Sequence, residues 1–161
     1  MALRRLGLTQ EALTETLTLL RSAQASAEAD RESWTYWQRR TGNQLANDFY
    51  EQGDFTAALT IYQTLAELRS DPGWRWPALY QIGLCYERLR QAERAAAYRD
   101  ILAESAAAAK VGTATTPSDA EVQRMAEWRL GQINWVGTIE ASVRDYAAQQ
   151  MPAQTTPPAL Q

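Results

Sequence analysis

The chain has 161 residues, 16 Lys and Arg against 19 Asp and Glu, no histidine and one cysteine. A formal net charge of −3 removes the broad positive field that nonspecific nucleic-acid binding needs. The absence of histidine excludes histidine triads and Cys/His zinc sites, and a lone Cys85 cannot close an internal disulfide. The length suffices for one core, since a domain of about 150 residues removes roughly 70% of its unfolded surface from water.

Ala, Leu, Glu, Gln and Arg dominate while Val and Ile are scarce, so helices are expected and a sheet is not. Apolar periodicity and end signals predict seven helices, over 9–29, 32–52, 55–70, 76–89, 91–109, 118–136 and 138–150. Gly53-Asp54 supplies a residue tolerant of positive φ and then an N-cap acceptor, and Asp71-Pro72-Gly73 stops the third helix. Ser118 and Glu121 have capping-box spacing at the sixth. A shortened turn is expected at Gly137. No run of 18 apolar residues occurs, and the segment LRRLGLTQEALTETLTLL is too polar for a signal-peptide core. Residues 151–161, rich in Pro, Thr and Gln, read as a disordered tail.

Small and bulky residues recur through these helices. In 30–72, Leu45-Ala46-x2-Phe49 precedes the turn Gly53-Asp54-Phe55, and Ala58-x3-Tyr62 follows it. In 73–110, Leu79-x2-Ile82-Gly83-x2-Tyr86 is followed by Ala95, with Tyr98 one place early. In 118–150, Trp128-Arg129-Leu130-Gly131 is followed by Ala141 and Tyr146. Small residues (Ala46, Gly83, Gly131, Ala58, Ala95) let backbones approach, while Phe49, Tyr62, Tyr86 and Leu130 fill the space beside them.

This pattern resembles the tetratricopeptide repeat over about 3–146, most closely over 42–102. The resemblance implies an all-α fold, a right-handed superhelix of antiparallel helix hairpins of about seven helices, in which stacking covers the apolar face each hairpin leaves bare. The turns at Gly7, Gly53, Arg90 and Gly137 lie further apart than the family's period of roughly 34 residues, so some helices are longer than the family norm. Residues 1–29 read as a partial repeat, the turn at Gly7 and a second helix whose partner would lie before Met1. The irregular, long-helix form is similar to that of bacterial envelope and secretion-associated members. That likeness places the chain in the periplasm or cell envelope if a signal lies upstream, and in the cytoplasm otherwise.

In this family the first helix of each hairpin lines a ligand groove. Carried onto matching positions, the groove comprises Arg40, Asn43, Asn47, Tyr50 and Glu51; then Pro77, Tyr80, Gln81, Leu84, Glu87 and Arg88; then Met125, Trp128, Arg129, Gln132 and Trp135. Amides there can hydrogen-bond a peptide backbone, and Tyr and Trp offer rigid apolar contact. The carboxylate clamp of some members is incomplete. Asn47 and Arg129 match it, but Asn43, Gln81 and Met125 stand where Lys, Asn and Lys are usual. Arg40 and Arg129 read better as solvated or paired with nearby acids, because charges of both signs recur at helical spacing.

Of the six tryptophans, Trp34, Trp37 and Trp74 read as packing residues, the first two against the preceding helix and Trp74 at a hairpin junction. Trp76, Trp128 and Trp135 suit either packing or contact. Cys85 reads as a packed small residue with no cation nearby in sequence to activate it. No glycine-rich phosphate loop is present, so no cofactor is expected. The leading expectation is a noncatalytic scaffold that binds a peptide or protein. The alternative is the terminal segment of a longer repeat protein, active in assembly or self-association. An enzymatic role is weakest, since the paired carboxylates lie on helices rich in both signs.

Overall fold

In the computed structural model, residues 2–21, 31–91, 94–112 and 116–150 are described. They form six helices: α1 (Ala2–Arg21), α2 (Arg31–Glu51), α3 (Phe55–Leu68), α4 (Pro72–Arg88), α5 (Arg94–Val111) and α6 (Pro117–Gln150). No strand occurs among the described residues, so the all-α expectation holds. The tail 151–161 lies outside them.

Turn chemistry explains most helix ends. α2 closes on Gly53, whose φ of +82° is in the left-handed region; Gly53 N–H donates to the Tyr50 carbonyl and Asp54 N–H to that of Phe49, a Schellman pair. Asp54 then caps α3, its carboxylate accepting from Ala57 N–H at 3.0 Å. α4 closes the same way, with Arg90 N–H on Glu87 and Gln91 N–H on Tyr86. There a non-glycine residue, Arg90, takes φ +55°. Pro72 opens α4 at a position where its missing N–H is not needed, so this helix begins earlier than its periodicity suggested.

Side-chain bonds fix how the helices run. Gly42 lies against Leu65 and Asn47 bonds Tyr62, so α2 and α3 are antiparallel. Gly83 lies against Tyr98 and Trp76 bonds Glu104, which makes α4 and α5 antiparallel too. The first helices of these pairs run parallel to each other: Arg39 of α2 reaches Gly73 near the start of α4, and Tyr50 near the end of α2 meets Arg88 near the end of α4. α6 lies against both α5 and α4, and α1 packs mainly on α3.

The core fills the spaces between these pairs. Ala46 and Ala58 are fully buried beside Phe49 and Tyr62, and Trp76, Tyr98, Ile61 and Ile101 are closed off from solvent. Gly83 is required by close approach, because a Cβ there would lie 2.5 Å from the Tyr98 ring. Trp74 plugs the α3–α4 junction as expected, its indole N–H donating to the Leu65 carbonyl. Trp34 and Trp37 are half-buried and stack on each other, centroids 4.9 Å apart.

Four expectations need correction. The chain does not turn at Gly137: α6 is one helix of 34 residues, and bonds from Thr138 to the Asn134 carbonyl and from Ser142 to that of Thr138 carry it straight through. No proline or left-handed residue interrupts it, and a glycine alone costs a helix only about 1 kcal/mol. The second helix of a third hairpin is therefore absent from 138–150. Gly131 is exposed, and no neighbouring element lies within 4 Å of where its Cβ would be, so it is no close-packing position. Gly7 lies within α1 rather than at a turn. The capping box at α6 is made by Thr116 and Asp119 instead of Ser118 and Glu121, with Asp119 N–H on the Thr116 hydroxyl and Thr116 N–H on the Asp119 carboxylate. Ala95 falls among side chains outside the description.

Candidate functional site

α6 runs parallel to α4, since Asp119 near its start lies against Gly73 and Arg129 further along meets Glu87, and the expected groove residues of α2, α4 and α6 divide into those that tie these helices together and those that remain open. Arg88 donates from Nε to the Tyr50 hydroxyl at 3.0 Å and lies over the Tyr50 ring. That bond, with the attraction of the ring oxygen, holds the Arg88 guanidinium above its usual range. Arg129 of α6 donates to the Tyr80 hydroxyl at 3.4 Å and ion-pairs with Glu87 at 3.3 Å. Glu87 also accepts from the buried Tyr98 hydroxyl at 2.8 Å. α4, α5 and α6 thus meet at a single carboxylate.

This bonding redefines several candidates. Asn47 accepts from Tyr62 and braces α3 against α2, leaving less of it for a ligand. Arg40 is exposed and donates to Tyr36 on its own helix. Arg129 is paired with Glu87 and bonded to Tyr80, both of α4, and not with an acid at helical spacing on its own helix. Asn43, Gln81 and Leu84 are half-exposed, and Gln132 is exposed. Trp128 and Trp135 stand out at 58% and 65% exposure. Trp76 is buried and bonds Glu104, which resolves it as a packing residue.

A concave place between α4 and α6 is open. Tyr80 of α4 with Glu121, Arg124, Met125 and Trp128 of α6 line a depression of about 300 Å³. Its lining combines apolar and aromatic side chains with the Arg124–Glu121 ion pair. The Arg129 guanidinium lies 5.2 Å from the Trp128 ring centroid, which steadies a side chain otherwise in solvent. Trp135 lies two turns beyond and does not line this depression.

Burial pushes the Cys85 thiol up to about 12, the opposite of an activated thiolate. Burial also raises the Tyr62 phenol, and burial with the bond to Glu87 raises that of Tyr98. Among the described residues no group of three or more Cys, Asp or Glu side chains converges as a metal site would require, and no helix is long and apolar enough to cross a membrane.

Two clusters escaped the sequence reading. Tyr98, out of step with the repeat spacing, is the residue that fills the gap above Gly83 and positions Glu87. Arg75 and Trp76 both bond Glu104, the arginine at 2.8 Å and the indole at 2.9 Å. Neither pairing has a sequence signal, because each joins residues from different helices. Compared with protein-family models, curated proteins and solved structures, the chain finds no match in any of the three.

Proposed function

We propose that this chain is a noncatalytic scaffold of tetratricopeptide-like build that binds a peptide or protein segment on the face shared by its first helices. The parallel run of α2, α4 and α6, with α3 and α5 as returning helices and α1 placed on α3, supports serial stacking of hairpins. The observation that carries the binding reading is the open depression at Tyr80, Met125 and Trp128. A tryptophan 58% exposed beside a half-buried tyrosine offers the rigid aromatic anchor that dominates peptide interfaces. A volume of about 300 Å³ admits one apolar side chain of a ligand, flanked by charges of both signs.

The test is selection of peptides from a random phage-displayed library on the full chain, followed by titration of the resynthesised hits. Trp128→Ala removes an exposed side chain, so helix content and unfolding stay unchanged, while affinity falls about 30-fold, the equivalent of a hot-spot residue. Hits that bind the Trp128→Ala variant as tightly as the parent chain would overturn the assignment of this site.

A further inference from the structure

The distal half of α6 has no covering element among the described residues. From Gln132 to Gln149 every side chain except Ile133 is exposed. The segment includes Gly137, Thr138 and four β-branched apolar residues, which are poor helix formers, and a lone helix of this length is marginal in water. Its helicity calls for packing of an apolar face. Such a face exists: Val136, Ile139, Val143 and Tyr146 recur at steps of three, four and three, the spacing of a coiled-coil seam. At 100° per residue this seam continues the stripe on which Met125 and Arg129 lie, and Arg129 is the residue that turns toward α4. The surface with which α6 grips α4 therefore runs on, bare, for about 20 residues or roughly 30 Å.

We propose that this seam pairs with the same seam of a second copy of the chain, forming a two-fold dimer. Trp135, Ile139, Val143 and Tyr146 are 65%, 46%, 62% and 65% exposed. With Val136 they offer roughly 500 Å² per copy, so a pair buries on the order of 1,000–1,200 Å² with the small residues between them, the lower range of a specific interface. Charge does not oppose self-pairing, since from Gly131 onward α6 has only Glu140, Arg144 and Asp145. A two-fold contact is self-complementary by construction, as a repeating seam requires.

Sedimentation equilibrium on the full chain across a concentration series tests this. The parent chain is expected to be a dimer with a micromolar Kd, and Ile139→Asp/Val143→Asp to weaken it at least about 100-fold, with the thermal unfolding of the helical body unchanged. The uncharged pair Ile139→Gln/Val143→Gln is expected to act in the same direction. Trp128→Ala, which leaves the seam intact, is expected to dimerise as the parent does, so failure of the peptide site and failure of the dimer are distinguishable. A parent chain that stays monomeric at high concentration, or a dimer that survives both seam variants, would overturn the proposal.

Discussion

Replacing Gly83 by alanine tests whether the helices are packed as closely as described. Two ring carbons of Tyr98 would lie 2.5 Å from the new Cβ and its hydroxyl oxygen 2.9 Å away. Tyr98 cannot swing clear, because it is fully buried and its hydroxyl is held by Glu87. Overpacking of this kind costs about 3 kcal/mol at its upper range, from which about 1 kcal/mol of helix propensity is recovered, leaving a net loss of about 2 kcal/mol. Gly131→Ala is the internal control, for nothing lies within 4 Å of its Cβ position, and it should gain up to about 1 kcal/mol. Urea denaturation followed by circular dichroism gives both values. Equal effects of the two substitutions, or a Gly83→Ala chain as stable as the parent, would refute the close approach of α4 and α5.

Other consequences are open to direct measurement. Arg90→Gly relieves a left-handed residue at the end of α4 and should stabilise the chain by about 0.5–1 kcal/mol in urea, since the conformational strain exceeds the entropy that glycine adds. Alkaline pH should destabilise the fold. The Tyr98 and Tyr62 phenols and the Cys85 thiol are raised in the folded state. Their contribution is complete below the unfolded values, near 9 for the thiol and 10 for the phenols, and is lost as pH rises toward the folded values. Thermal melts from pH 8 to 12 should show this decline, and Tyr98→Phe should flatten part of it above pH 10; an unchanged slope in the variant would count against a buried phenol.

Legibility in the sequence followed the range of the interactions. The turn at Gly53-Asp54 and the burial of Trp74 could be read because they depend on neighbours in the chain. The small-residue positions Ala46, Ala58 and Gly83 were also visible, since their role in close packing sets a fixed helical spacing. The misread places lack a local cause. Gly137 resembles a turn in isolation, yet nothing after it stops a helix, and the hydroxyls of Thr138 and Ser142 bond backward along the same helix. The capping box moved by two residues because Thr116 and Asp119 offered the same spacing as Ser118 and Glu121. In the candidate site, Tyr80 and Trp128 were assigned to one face by the resemblance to the repeat family, which gives each to the first helix of a hairpin. The bonding of Glu87 to both Tyr98 and Arg129, which decides that Arg129 is a brace, joins three helices and leaves no trace in any one of them.

Pro77 lies inside α4 and has no N–H to offer the Gly73 carbonyl four residues earlier. Arg39 of α2 fills that gap, donating from Nη2 at 2.9 Å. A flaw in one helix thereby becomes a socket for its neighbour, one more tie between consecutive hairpins beside the Trp74 and Arg88 bonds. Restoring an N–H at 77 would let α4 close its own ladder and release Arg39 to solvent, while those two bonds went on holding the joint.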